Sequence, residues 1–319
     1  MAVVTTPHEA NLARFTSAAR RCSWQLLAAY SSSFTLASRL FAPTTREHVA
    51  AVYALVRVAD EIVDGTFAPP SAGTTAPITG SADPGAPEGA VPGAAEPDSA
   101  REVAALLAGY RDEVYAALDR GFSTDPIVHA FADTARRYGI GPELIDPFFH
   151  SMDMDIRFTT YTHEQLAEYI HGSAEVIGEM IMRIFADGAL AGDREAAASA
   201  RALGAGFQKV NFLRDVREDT VELGRNYFPG RDPRAFTAKD IAELCDDVDA
   251  DFARAREGIV RIPGRDRAAV LAAHDLFAEL SRRLRAAGPD RIAAGRVSIP
   301  ARDKALIVAK ALRTSVVIR

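Results

Sequence analysis

Apolar residues recur at spacings of three and four through most of this chain, and no other feature limits its fold so strongly. Short turn-forming sequences, GFSTDP, YGIGPELID and RIPGRD, separate several of the periodic segments. Alternating runs typical of strands are scarce. The pattern therefore predicts an all-α protein, a helical bundle around a central cavity. The predicted helices cover residues 11–30, 48–64, 101–121, 125–139, 163–188, 194–221 and 267–288.

Composition and charge exclude several classes of protein. The 319 residues are 48% hydrophobic, which is enough for a large core, so we expect one domain spanning 1–319. A net charge of −6 without a Lys/Arg block argues against a nucleic-acid partner. Two distant cysteines, Cys22 and Cys245, suit a reducing compartment. Neither a signal peptide nor a membrane-spanning run is recognisable, so we expect a cytoplasmic protein.

Two segments stand apart from the main helical pattern. Residues 66–100 are mostly Ala, Pro, Gly, Ser and Thr, so they have little to bury and are predicted to be a disordered insertion. A mobile lid and a surface insertion without a role both fit this insertion, and we favour the surface insertion. The basic, amphipathic segment 301–319 is predicted to be a last core helix rather than a helix on a membrane surface.

A charged stripe crosses the apolar segment HVAAVYALVRVADEIVDG, residues 48–65. Arg57, Asp60 and Asp64 follow one another at spacings of three and four, which places them on one helical face. Tyr53, four residues before Arg57, extends the same stripe. A buried helix therefore presents acidic side chains to its neighbours.

A second acidic stripe lies in the apolar segment GFQKVNFLRDVREDT, residues 206–220. Asn211, Asp215 and Asp219 are each four residues apart, and Gln208 precedes Asn211 by three, so all four share one side of a helix. If the two stripes face each other, their oxygen-bearing side chains cannot pack together unpaired in a low-dielectric interior.

Magnesium ions would resolve this conflict, because Mg²⁺ prefers oxygen ligands and is commonly shared with substrate phosphates. Interhelical salt bridges are the alternative, and pairs such as Arg57 with Asp60 or Arg214 with Asp215 could be nothing more. Four basic residues lie on or next to the stripes and would face the charge of a diphosphate: Arg57, Lys209, Arg214 and Arg225.

Segments 30–65 and 206–229, YSSSFTLASRLFAPTTREHVAAVYALVRVADEIVDG and GFQKVNFLRDVREDTVELGRNYFP, resemble the squalene/phytoene synthase family of head-to-head prenyltransferases. Within that family they look most like the bacterial phytoene synthases. The resemblance extends over nearly the whole chain outside 66–100. It implies an isoprenoid-synthase-type helical bundle, in which two facing aspartate-rich helices line a central cavity.

The resemblance also implies roles for individual residues. The implied metal ligands are Asp60, Asp64, Asn211, Asp215 and Asp219. The implied substrate contacts, which include the YSSSF run, are Tyr30, Ser31, Ser32, Ser33, Phe34, Tyr53, Arg57, Gln208, Arg214, Arg225, Phe277 and Arg296. The implied catalytic residues are Asp60, Asp64, Asp215, Asp219 and Tyr169. His171, Glu175 and Phe277 differ from the residues that are common at these positions in the family.

The activity that the resemblance implies is phytoene synthesis for carotenoid biosynthesis. Two molecules of geranylgeranyl diphosphate would condense head to head through prephytoene diphosphate, with Mg²⁺ as cofactor, Mn²⁺ as its substitute and no NADPH. The oily product implies peripheral contact with a membrane, and downstream carotenoid enzymes are further expected partners. Ser38, one turn after Phe34, leaves room for a long tail, which weakly favours C20 over C15 substrates.

Three other interpretations remain open at this point. A C30 synthase would use farnesyl diphosphate to make dehydrosqualene, squalene or presqualene diphosphate. A non-catalytic helical scaffold could keep the core, but the presence of all five stripe positions argues against it. A cyclising terpene synthase would share paired acidic motifs, but the QxxNxxRD pattern and the YSSSF run fit it poorly.

Overall fold

The computed structural model describes residues 6–64 and 97–317. Within these residues the chain forms twelve α-helices, and its only β-type pairing is a single bridge between Thr160 and Asn226. The all-α prediction is confirmed. The helices are α1 (Pro7–Tyr30), α2 (Ser32–Ser38), α3 (Pro43–Val63), α4 (Pro97–Arg120), α5 (Pro126–Tyr138), α6 (Pro142–Arg157), α7 (His163–Ile170), α8 (Val176–Ile184), α9 (Arg194–Arg214), α10 (Ala238–Ile259), α11 (Gly264–Ala294) and α12 (Ala301–Val317).

Helix α4 begins inside the segment that was predicted to be disordered. The prediction ran to Ala100, but α4 starts at Pro97, so its last four residues are helical. Proline fits the first turn of a helix, where its missing N–H is not needed, and here it opens a helix rather than breaking one. The rest of the predicted insertion lies outside the described residues.

Three helices were not anticipated from the periodicity. Helix α2 follows directly on α1, because Ser31 leaves helical geometry and caps α2 by accepting from the Phe34 N–H at 3.2 Å. The YSSSF run is thus a helix break followed at once by a new short helix. Helices α6 and α10 were not predicted, and the turn expected over YGIGPELID extends only to Gly141, which precedes α6.

The helix predicted over 163–188 is interrupted. A π-helical segment, His171–Glu175, joins α7 to α8, and such bulges are frequent at functional sites. His171 Nδ1 and Glu175 Oε2 lie 3.0 Å apart, so these two residues, which differ from those common in the resembling family, contact each other. The bend directs Ser173 and Ala174 toward the central cavity.

Close contacts between α8, the π segment and α9 depend on two glycines. A Cβ on Gly178 would lie 2.3 Å from the Ala200 carbonyl oxygen, and one on Gly204 would lie 2.3 Å from that of Ala174. Larger residues would push these elements apart. Helix α12 packs on α11 through buried Val308 and Ala311, as expected for a last core helix. In the described part of the chain, no helix has both the length and the apolar character required to cross a bilayer.

Candidate active site

A cavity of about 680 Å³ runs into the bundle between α2, α3, α8, α9 and α11. Its mouth is charged and its deeper part is apolar. Apart from Lys209, every residue that the sequence analysis assigned to metal or substrate lines this cavity. The two acidic stripes therefore open into one space.

The first stripe lies at the C-terminal end of α3. Arg57 donates to Asp60 at 2.6 Å and also pairs with Glu61. Its guanidinium lies 4.3 Å from the centre of the Tyr30 ring, a cation–π contact that holds it at the mouth. Burial and the adjacent charge of Asp64 raise the pKa of Asp60 above its ordinary value.

The second stripe lies where α9 ends. Helix α9 stops at Arg214, and Asp215 follows with non-helical geometry. Arg214 donates to Asp215 Oδ1 at 2.9 Å and Oδ2 at 2.5 Å, and Arg296 contacts the same carboxylate at 2.8 Å. Asp215 is thus held by two arginines that are 82 residues apart, at positions 214 and 296.

Salt bridges do not account for the whole acidic cluster. Asp219 has no ion-pair partner among residues 6–64 and 97–317, and burial together with the charge of Asp215 raises its pKa to about 8. The charge of Asp64, on the opposite stripe, adds to this increase. The two stripes therefore interact across the mouth, and their carboxylates repel one another unless a proton or a cation neutralises part of the charge.

The residues present fit a divalent cation that shares its ligands with a substrate. The side-chain oxygen of Asn211 is buried without a hydrogen-bond partner in the described part of the chain, although it faces the cavity beside the carboxylates. Within that part, no three His, Cys, Asp or Glu side chains converge as a complete metal cage. Such an arrangement suits Mg²⁺, which is commonly held by one or two carboxylates plus phosphate oxygens.

The serine run forms one side of the mouth together with a residue that sequence reasoning missed. Lys304, in the first turn of α12, donates to Ser32 Oγ at 2.8 Å and lines the cavity. Burial and the nearby charge of Arg214 lower the pKa of Lys304. No local spacing relates Lys304 to the stripes, so only the packing of α12 against α2 could reveal it.

An aromatic collar separates the charged mouth from the apolar depth. Phe34, Phe207 and Phe277 contact one another with ring centres 5.5, 5.3 and 4.2 Å apart, and Tyr53 lies 6.1 Å from Phe34. Phe207 was not among the predicted site residues, although it precedes Gln208 on the same face of α9. The faces of such rings can stabilise a positive charge in a dry cavity.

A buried carboxylate organises three tyrosines beside the acidic stripes. Asp155 accepts from Tyr161 at 2.6 Å, from Tyr169 at 2.7 Å and from Tyr227 at 2.7 Å, and it is 8% exposed. Burial and the charge of Asp155 raise the pKa of Tyr169 well above its ordinary value. The Tyr169 phenol is therefore a proton donor to Asp155 in the resting site. The sequence signal that could have revealed this network is Asp155 itself, the single acidic residue on the buried face of α6.

One basic residue lies elsewhere. Lys209 was expected to face a diphosphate, but it points away from the cavity and pairs with Asp247 at 2.6 Å and Asp251 at 2.7 Å on α10. Its neighbours Gln208 and Arg214 do line the cavity. The periodicity explains the difference, because position 209 lies one residue off the face that carries Gln208 and Asn211.

The chain matches the family model described as squalene/phytoene synthase over residues 27–303. It belongs to the squalene/phytoene synthase family. Members of this family are prenyltransferases that use divalent metal ions with their diphosphate substrates, so this family member is a prenyltransferase. The match includes both acidic stripes and the serine run, and it ends at Asp303, one residue before Lys304.

Curated relatives agree with this assignment, and solved structures share the fold. The chain is 27% identical to a phytoene synthase from Pseudescherichia vulneris over 83% of its own length and 82% of the relative's. It is also 27% identical to a 15-cis-phytoene synthase from a Paracoccus species, over 82% and 80% of the two chains. The fold is similar to that of the squalene synthase HpnC from Alicyclobacillus acidocaldarius, with a TM-score of 0.65, 20% identity and coverage of 92% and 98%. It is likewise similar to a dehydrosqualene synthase, with a TM-score of 0.69, 17% identity and coverage of 94% and 97%.

Proposed function

We propose that this prenyltransferase is a phytoene synthase, which condenses two molecules of geranylgeranyl diphosphate head to head through prephytoene diphosphate. The observation that carries the proposal is the cavity, whose mouth bears two facing acidic stripes and whose depth is apolar. The charged end fits diphosphates, and the apolar end fits isoprenoid tails, each buried CH₂ of which contributes about 0.8 kcal/mol.

The basic residues at the mouth hold the diphosphates. Arg57, Arg214, Arg225, Arg296 and Lys304 line this end and offer charge-assisted hydrogen bonds, which are stronger than neutral ones. The metal ligands are Asp60, Asp64, Asn211, Asp215 and Asp219. Magnesium held by these residues would supply Lewis-acid stabilisation of the negative charge on a departing diphosphate.

The reaction then follows from charge stabilisation rather than from a protein nucleophile. The allylic C–O bond of one substrate breaks, and the double bond of the second substrate attacks the resulting cation. Loss of a proton forms the cyclopropane ring of prephytoene diphosphate. A second departure of diphosphate, a rearrangement and another proton loss yield phytoene. Phe34, Phe207 and Tyr53 present ring faces to the cationic carbons and exclude water from them.

Proton removal has two candidate acceptors beside the cavity. The leaving diphosphate is one of them. The other is Tyr169, whose oxygen takes up a substrate proton only if its own phenol proton passes to Asp155 Oδ2, 2.7 Å away. This coupling follows because the raised pKa of Tyr169 disfavours a free phenolate.

A C30 synthase that uses farnesyl diphosphate is the second candidate. It is favoured by the fold similarity to solved structures named as squalene and dehydrosqualene synthases. The C20 substrate is favoured by the names of the curated relatives, which are phytoene synthases. The match to each of them covers about four-fifths of that relative's length. Ser38, which is 3% exposed and lines the cavity, leaves space that a bulkier side chain would fill.

The deciding experiment incubates the purified protein with Mg²⁺ and either geranylgeranyl or farnesyl diphosphate, without NADPH, and identifies the extracted hydrocarbon. We expect phytoene from the C20 substrate and none from an Asp60→Ala variant. A C30 product formed only from farnesyl diphosphate would replace the C20 assignment. Folded protein without any product would favour the non-catalytic scaffold. Flotation with liposomes during turnover tests the proposed peripheral membrane contact of a cytoplasmic enzyme, and pull-down of downstream carotenoid enzymes tests those partners.

A further inference from the structure

One face of α9 forms a continuous wall of the cavity from its mouth to its floor. The residues on this face follow one another at alternating spacings of three and one and all line the cavity: Ala196, Ser199, Ala200, Leu203, Gly204, Phe207, Gln208 and Asn211. Asn211 lies at the charged end and Ala196 at the far end. The position of a residue along α9 therefore gives its depth in the cavity below the proposed diphosphate site.

The helical rise converts these positions into distances. At 1.5 Å per residue, Ala200 lies about 16 Å and Ala196 about 22 Å beyond Asn211 along the helix axis. An extended backbone advances about 1.2 Å per bond, as three bonds per residue cover about 3.5 Å. The fifteen bonds along a geranylgeranyl main chain then span about 18 Å, and the eleven of a farnesyl main chain about 13 Å. The end of a C15 tail stops short of Ala200, whereas a C20 tail passes it.

The side chains that α9 itself contributes at this depth are small. Ala200 is half-buried inside the bundle. Helix α8 approaches its backbone closely at Gly178, because a Cβ added to Gly178 would lie 2.3 Å from the Ala200 carbonyl oxygen. Ala273 of α11 also lines the cavity, one turn from Phe277 of the aromatic collar. No bulky side chain of α9 enters the cavity between Leu203 and its floor.

The floor is the crossing of α9 with α10. A Cβ on Gly258 would lie 2.3 Å from both Cβ and Oγ of Ser199, so the two helices touch there. Ser199 and Gly258 also line a second cavity of about 540 Å³ on the other side, whose lining includes Glu195, Arg254 and Arg261. Ser199 and Gly258 thus separate the apolar end of the first cavity from the charged second cavity. A tail that extended past them would contact the charged side chains of the second cavity.

We propose that Ala200, with the Ser199–Gly258 crossing as its floor, determines tail length in this enzyme by admitting the fourth isoprene unit. The proposal rests on the proposed prenyl-diphosphate function. A large side chain at position 200 would occupy the space of the fourth unit and leave that of the first three. Ala200 acts on specificity through shape and takes no part in the chemistry at the mouth.

The test measures kcat/KM of Ala200→Phe and of the milder Ala200→Leu for geranylgeranyl and farnesyl diphosphate, with both substrates also in competition. A single methylene changes discrimination in an apolar pocket by about 10- to 200-fold, so the C20/C15 ratio should fall by at least about tenfold, with a smaller fall for Ala200→Leu. The matched control is Ala198→Phe, because Ala198 is exposed, lies on the same helix and lines only the charged cleft.

The ratio distinguishes specificity from damage, since a destabilised enzyme loses activity toward both substrates equally. An unchanged ratio in both Ala200 variants, with the wild type making phytoene, would overturn the role of Ala200 and leave the proposed function intact. The same shift in Ala198→Phe would also overturn it. A wild type that accepts only farnesyl diphosphate would refute both the proposed function and the depth argument, and the wild-type reaction alone reveals this.

Discussion

Arg225 Nη1 donates to Asp64 Oδ1 at 2.8 Å and its backbone N–H donates to the Asp219 carbonyl at 2.7 Å, so Arg225 joins the two acidic stripes. Asp64 ends α3, whereas Arg225 follows the π-helical turn after α9. Although burial alone would lower it, the charges of Asp155 and Asp64 raise the pKa of Arg225. A single guanidinium thus balances carboxylates from two separate helices, α3 and α6.

Replacing Arg225 with alanine should destabilise the fold. Removal of one partner from a buried ion pair typically costs about 3–5 kcal/mol, because the remaining charge is left uncompensated. Arg225→Lys should lie in between, since lysine keeps the charge without the planar fork. Urea unfolding measures the free energies, and exposed Arg234→Ala is the control. A loss no larger than that of the control would show that Arg225 does not hold the cluster together.

Asn211→Ala should weaken the response to metal without weakening the fold. The Asn211 oxygen has no partner in the described part of the protein, so its removal breaks no hydrogen bond there. We expect the Mg²⁺ concentration for half-maximal activity to rise about tenfold or more, by analogy with losses of metal-supporting residues. Asn226→Ala is the contrasting variant, because the Asn226 side chain bonds Phe228 N–H and the Arg231 carbonyl. It should lower stability and leave the Mg²⁺ dependence unchanged, and the reverse pattern would remove Asn211 from the ligand set.

Asp155→Asn should disturb the three tyrosines together. An amide keeps one acceptor oxygen but turns an N–H₂ group toward at least one phenol, and a hydrogen bond to a charged group contributes about 1.5–3 kcal/mol. We expect the unfolding free energy to fall by about 2 kcal/mol and the turnover number to fall about tenfold or more. Tyr161→Phe removes a single bond to the same carboxylate and should cost less in both measurements. Equal effects of the two variants would argue against Asp155 as the organising group.

Lys304→Ala should raise the KM for the diphosphate substrate. Lys304 is held at the mouth by Ser32 Oγ at 2.8 Å and is free to donate its remaining hydrogens to a diphosphate. Loss of one charge-assisted contact should raise KM about tenfold or more. Lys310→Ala is the matched control on the same helix, because Lys310 is exposed and does not line the cavity. Steady-state kinetics that are alike for both variants would contradict a substrate contact by Lys304.

His48 should make the fold sensitive to mild acid. It is fully buried, and burial together with the charge of Arg20 lowers its pKa to about 4. Its Nδ1 donates to Thr134 Oγ1 at 2.8 Å, because that hydroxyl already donates to the Ala130 carbonyl, and Nε2 has no partner among the described residues. Protonation would therefore bury an N–H without an acceptor.

The folded state binds this proton less readily than the unfolded chain, so the stabilisation is complete above the ordinary histidine pKa of about 6.5 and is lost as the pH falls toward 4. Between pH 7 and 5 the loss should reach about 2 kcal/mol. Urea unfolding at both pH values should show a smaller change for His48→Gln, while exposed His8→Gln should behave like the wild type. A difference between pH 7 and 5 that His48→Gln retains in full would assign it to other groups.

Much of the site followed from spacing within single helices. Asp60 and Asp64, like Asn211 and Asp215, share a face because residues three and four apart are neighbours on any α-helix. The same rule places Gln208 in the cavity and turns Lys209 away from it, although Lys209 was expected at the diphosphate. Local geometry was therefore a reliable guide wherever the pattern was applied residue by residue.

Contacts between distant segments escaped the sequence analysis. Asp155 lies on α6, a helix that was not predicted, and it meets Tyr227 across 72 residues. Lys304 reaches Ser32 across 272 residues, and Phe207 completes a collar whose other members are on α2 and α11. The start of α4 at Pro97 was missed for a different reason, because composition alone assigned a helix-opening proline to the insertion.

The sequence by itself determined that this chain is helical and that two of its helices carry acidic stripes, because hydrophobic periodicity and side-chain spacing are properties of consecutive residues. Only the tertiary structure decided that the stripes meet at one mouth, that Arg225 bridges them, and that small residues along α9 line a cavity that extends to Gly258. The physical reason is that helix crossings depend on the fit of whole surfaces, here on close contacts at Gly178 and Gly204, and no local spacing encodes that fit.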